Sequence, residues 1–90
     1  MARIIITAQV EDEKKWLENF PSHKKIFKSY SAKRVRYGVT DGVAGTVWDV
    51  GDAKKMLDSM QAPDTAEAMA ADGVIRDTVR VVVLDEKLDF

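Results

Sequence analysis

Hydrophobic positions along this chain switch between the period of a strand and the three-to-four spacing of a helix, and the switches outline its elements. Residues 3–10 (Arg-Ile-Ile-Ile-Thr-Ala-Gln-Val) are short and β-branched, which predicts a strand buried on both faces. Glu11, Asp12 and Glu13 follow, and acidic residues suit the positive end of a helix macrodipole. From there large side chains return at steps of four, three, four and three: Trp16, Phe20, His23, Phe27 and Tyr30. Those five lie on one stripe of a helix. Pro21 removes a ladder hydrogen bond within that stretch, so a kink or two shorter helices are expected, with Ser22 placed to cap the second piece and His23 in its first turn.

Residues 32–40 and 43–50 flank Asp41-Gly42, the strongest hairpin signal in the chain. A two-residue turn pairs Thr40 with Val43, and so Val39 with Ala44, Tyr37 with Thr46 and Val35 with Trp48. The other face then sets Arg36 beside Val47 and Arg34 beside Asp49. One side is apolar and aromatic; the other mixes valine with charge. Pattern and register agree, which supports the hairpin more than either alone.

Asp52 is placed to cap a helix whose apolar stripe is Met56, Leu57 and Met60. Pro63 breaks it, Asp64 is a candidate cap for a second short helix carrying Met69, and Gly73 suits the residue that closes that helix. Residues 76–84 predict a last strand, followed by a polar tail to Phe90. The order βαββαβ implies one α+β domain over residues 1–90. Its expected form is a ferredoxin-like sandwich: a four-stranded antiparallel sheet, first and third strands central, with helices on one face.

Helices on one side leave the other side of the sheet bare. Yet strand one sends Ile5 opposite Ile4 and Ile6, strand four sends Val82 and Leu84 opposite Val81 and Val83, and Val43 and Val47 lie away from Trp48. A face this apolar predicts a homodimer with two sheets packed together, Val43 and Val47 among the contacts. Burying about 700 Å² of apolar surface per partner would contribute on the order of 17 kcal/mol before the costs of association.

Composition narrows the function classes. With 46% hydrophobic and 32% charged residues the chain reads as a globule rather than a disordered segment. Its net charge of −1, from 14 basic and 15 acidic residues well mixed, lacks the basic excess that nucleic acid requires. Strand three also lacks the aromatic and basic pattern of an RNA-recognition sheet, so no nucleic-acid partner is expected. The run Ile4–Ile6 is far below the roughly 18 residues of a membrane span and too short for a secretory signal, so no membrane is expected and the expected location is cytoplasmic. Zero cysteines remove disulfide and thiolate chemistry. One histidine and scattered carboxylates leave no metal-ligand spacing, and no cofactor motif is present.

What remains is the aromatic stripe. His23, the single histidine, is the candidate for acid or base chemistry, because imidazole titrates near neutrality. Around it Trp16, Phe20, Phe27, Tyr30 and Trp48 supply apolar walls, and Tyr37 and Thr46 supply hydroxyls. Together they predict an aromatic pocket between helices and sheet that takes a small, largely apolar molecule. The alternative from the same residues is a non-enzymatic structural or regulatory dimer with a filled core.

Lys15-Trp16 with Phe20 and His23 on helix one, Val47-Trp48-Asp49 closing strand three, and the run from Met60 to Gly73-Val74 resemble the dimeric α+β barrel superfamily. That superfamily includes antibiotic-biosynthesis monooxygenases, polyketide cyclases and haem-degrading enzymes. The resemblance spans most of the chain and implies the fold, the dimer and a pocket inside each subunit, without singling out a family. Monooxygenase and haem-degrading members use an asparagine on strand one and a tryptophan and histidine on the second helical segment. Here strand one offers Thr7 and Gln9, and residues 52–73 contain neither tryptophan nor histidine, so that set does not carry over.

Overall fold

A computed structural model describes residues 2–90. Its strands are β1 (Ala2–Gln9), β2 (Ala32–Thr40), β3 (Val43–Val50) and β4 (Arg80–Leu84). Four short helices occupy the two crossovers: α1 (Glu13–Asn19) and α2 (Lys24–Ser29), then α3 (Ala53–Ser59) and α4 (Pro63–Ala71). The strands form one antiparallel sheet in the order β2-β3-β1-β4, so β1 and β3 are central. No described helix is long and apolar enough to cross a membrane.

Local chemistry accounts for most element ends. The Asp12 carboxylate accepts from the Lys15 N–H at 3.1 Å and starts α1; Asp52 does the same for α3 through Lys55 at 2.9 Å. Asp41 and Gly42 both adopt positive φ, at 51° and 78°, as a two-residue hairpin turn of the right twist demands. The β2–β3 register runs from Thr40↔Val43 through Tyr37↔Thr46 to Arg34↔Asp49, as that turn imposes, with one irregularity between Ala32 and Arg34. Gly73, at φ 77°, follows the C-cap Asp72 of α4 and turns the chain back toward Glu11.

Pro21 divides the helical path into two shorter helices, joined by a 3₁₀ turn, Phe20–His23, where its missing N–H is harmless. Three local details differ from the sequence expectation. Ser22 donates its hydroxyl back to the Asn19 carbonyl instead of capping α2, and His23 takes the capping position without a capping bond. Pro63 occupies the first turn of α4 with Ala62 as its cap, which moves Asp64 inside the helix. The last strand starts at Arg80 rather than at 76, because Arg76–Thr78 form a 3₁₀ turn. There the Thr78 hydroxyl accepts from the Gln9 N–H at 2.8 Å and donates to the Ile75 carbonyl at 2.6 Å, replacing ladder bonds.

The helices cover the face bearing Ile4, Ile6 and Ala8 of β1 and Ala44, Thr46, Trp48 and Val50 of β3. Ile4 and Val50 are fully buried there against Trp16, Phe20, Tyr30 and Met56. The opposite face carries Ile5, Val43, Val47, Val82 and Leu84 with no element over it. Ile5 and Val47 are half-buried, Val43 is 44% exposed and Val82 is 52% exposed. Strand β1 is therefore sealed on one face only within a single chain.

Gly73→Ala and Gly42→Ala should each lower stability by about 1–2 kcal/mol, since both sites hold positive φ. Gly38→Ala, where an added Cβ meets nothing within 4 Å, should be neutral or stabilising. Thermal melts of the three variants check the contrast.

Candidate functional site

The broken path from α1 to α2 aims its large rings at β3. Trp16 stacks on Phe20 with ring centroids 4.9 Å apart, and Phe20 meets Phe27 at 5.1 Å. Phe27 and Tyr30 approach the Trp48 ring edge-on at 4.8 and 5.9 Å, geometries that the aromatic quadrupole favours. Burial pushes the Tyr30 phenol up from its ordinary value, so it stays a neutral wall.

A cavity of about 90 Å³ remains between these rings, the sheet and the second helical crossover. Of the residues singled out from sequence, Trp16, Phe20, His23, Phe27, Tyr30, Thr46 and Trp48 line it. Tyr37 does not. It stands on the edge strand β2, 45% exposed, with its ring against Trp16 and Phe20 at the rim of the cluster. Met56, Met60 and Met69 from α3 and α4 complete the apolar wall; helical spacing put Met56 and Met60 on an apolar stripe, though not in the pocket.

Two of the polar groups in this lining are committed internally. The Trp48 indole N–H donates to the Thr46 hydroxyl at 2.6 Å, and that hydroxyl donates to the Ile6 carbonyl at 3.2 Å. Thr46 therefore serves Trp48 first, not an incoming molecule. Apart from the Thr65 hydroxyl on α4, the remaining chemistry belongs to His23. Its Nε2 lies 3.0 and 3.1 Å from the two carboxylate oxygens of Asp72, whose side chain is 5% exposed against 21% for the imidazole. An ionised carboxylate only accepts, so Nε2 carries a proton and Nδ1 is the ring nitrogen left for water or a ligand.

Asp72 is the residue that sequence reading missed. The available signal was electrostatic: an acid at the C-terminal end of a helix faces the negative end of the macrodipole, and α4 has no basic residue in its last turn. A carboxylate so placed needs a partner elsewhere. It finds His23, 49 positions away in sequence, and is itself 97% buried.

Among the described residues, no three of the histidine, aspartate or glutamate side chains come together as a metal site. The arrangement is an apolar recess with one oriented imidazole, able to accept or donate a single hydrogen bond and to transfer a proton. No protein-family model matches the chain, and no curated protein matches it.

Thr46→Val should cost about 1–3 kcal/mol, because it leaves the Trp48 N–H buried without an acceptor. Thr46→Ser should retain most of that stability. Denaturant unfolding followed by tryptophan fluorescence separates the two.

Proposed function

We propose that this chain is a ferredoxin-like protein of the dimeric α+β barrel type that binds a compact, largely apolar molecule in the cavity beside His23. The observation that carries this reading is the His23–Asp72 pair. A buried carboxylate fixes one imidazole nitrogen at the wall of an otherwise apolar recess, the arrangement that orients a proton-transferring histidine. His23 is then the group that acts on the bound molecule, Asp72 its positioning partner, and the rings of Phe27 and Trp48 the contact surface.

Size limits the ligand. An apolar cavity of about 150 Å³ takes benzene, so 90 Å³ accepts one small ring only if α3 and α4 yield slightly. The methionines on those helices are the side chains best able to give way. The same small volume supports a second reading, a non-enzymatic module with a filled core in which His23–Asp72 ties α2 to the end of α4.

The two readings part on ligand response. On the first, phenol at a hundred times its Kd raises Tm by about 10–20 °C. It should also bind better than benzene by about 1 kcal/mol, the worth of one hydrogen bond to the imidazole. His23→Ala should abolish that preference, and Asp72→Ala should lose it together with part of the stability. If neither compound moves Tm at saturation, the filled core is the correct reading.

The quaternary part of the proposal is a homodimer through the uncovered sheet face. Val82, Ile5 and Val47 adjoin across β4, β1 and β3 as an apolar stripe, and Val43 extends it. A second copy is the occupant that this self-similar stripe fits. Sedimentation equilibrium should report a dimer at micromolar concentration. Val47→Lys, on this half-buried outer face, should give a folded monomer, since it sets new like charges against each other. A wild-type chain that stays monomeric at tens of micromolar ends this part of the proposal.

A further inference from the structure

The uncovered face is not only apolar. Strand register places Arg3, Arg34, Arg36 and Arg80 on it, with Asp49 as the opposing acid among the described residues. Asp49 is already taken: Arg3 Nε donates to it at 2.8 Å. Four positive charges against one negative leave a surplus of three beside the stripe of Val82, Ile5 and Val47. Two such faces brought together bare would oppose one surplus with another, a juxtaposition that disfavours association.

The chain carries a segment of the opposite character. Residues 85–90 read Asp-Glu-Lys-Leu-Asp-Phe, three acids against one lysine. Leu88 is 77% exposed and Phe90 fully so, and the whole segment lies free of secondary structure. Exposed large apolar side chains interleaved with acids match an apolar stripe bordered by arginines.

Geometry decides whose face it meets. Strand β4 runs antiparallel to β1 with Leu84 opposite Arg3, so two more residues carry the chain past Ala2, where β1 begins. Continuing in that direction leaves its own sheet. Residues 85–90 contain neither glycine nor proline and form no turn or bend. Six extended residues span about 20 Å, enough to cross four strands spaced by about 4.8 Å.

We propose that residues 85–90 of each copy cross onto the uncovered sheet face of the other, Leu88 and Phe90 covering the stripe and the acids meeting Arg34 and Arg36. This rests on the dimer reading above. It explains how two faces of like charge associate, because each arrives with the other's counter-charge.

The test uses the full chain and a variant ending at Leu84. Removing an exposed segment leaves the fold intact, and sedimentation equilibrium should show the dimer weakened by at least about tenfold. Asp85→Lys with Glu86→Lys and Asp89→Lys should weaken it similarly at low salt and less at high salt. The absence of cysteine allows a spin label at Lys87→Cys on one copy, mixed with isotope-labelled wild type. Relaxation of the Val47 and Arg36 amides in the isotope-labelled copy confirms the crossing. An unchanged dimer constant on truncation, or Val47 and Arg36 amides of the isotope-labelled copy that are not relaxed, overturns the crossing while leaving the dimer standing. A full chain that never dimerises fails the earlier reading, and this one with it.

Discussion

Burial of Trp48 is the constraint to which the other elements answer. The indole stands on a central strand, 3% exposed, and removing an aromatic of that size from water is worth about 5 kcal/mol before entropy is charged against it. Its N–H must be matched in the same stroke, and Thr46, two residues back on the same face, supplies the acceptor. With the polar atom satisfied by its own strand, the ring is free to be enclosed by Phe20, Phe27 and Tyr30. Those three come from a helical path broken at Pro21. The 3₁₀ turn there lets a stripe that begins on α1 continue on α2 at a different tilt and so wrap the indole.

The cavity follows from the same rings. Large, flat side chains enclose an indole edge-on, and edge-on packing leaves a gap that planar groups cannot fill. On the far side the gap meets short helices α3 and α4, whose contribution is methionine, alanine and threonine, with no second layer of aromatics. His23 and Asp72 sit where the two crossovers touch. Their bond holds the end of α4 against the 3₁₀ turn, and the same bond orients the imidazole at the cavity wall. Stability and candidate chemistry therefore share one contact. That sharing is why affinity and thermal stability have to be measured together in any variant of the pair.

The two faces of the sheet solve different problems. One has its hydrophobic surface removed from water by the chain's own helices. The other keeps Val43, Val82 and Leu84 exposed beside a row of arginines, and the Arg3 guanidinium holds the Asp49 carboxyl below the usual carboxylate range. The apolar stripe is poorly suited to water and fits a second copy, but the arginines that border it oppose those of that copy. The proposed exchange of the acidic segment after β4 resolves both difficulties by one device.

Much of this was written in local pattern. The β2–β3 register follows from Asp41-Gly42 because a two-residue turn admits one alignment. The starts of α1 and α3 follow from Asp12 and Asp52 because a carboxylate three residues before a free N–H can satisfy it. The inward stripe from Trp16 to Tyr30 follows from helical period alone. Where the sequence misled, a side chain competed locally with the backbone, as Thr78 did when it delayed β4. Three things lay beyond local pattern. Which sheet face the helices cover is settled only by where the crossovers land, since both faces alternate valine and isoleucine. Tyr37 left the pocket because pairing order put β2 at the edge, a fact no hairpin register contains. Asp72 joined His23 because two crossovers, distant in the chain, meet in space. Periodicity and turn chemistry act over a few residues and are legible in order; a contact spanning 49 positions exists only once the sheet has brought its two ends together.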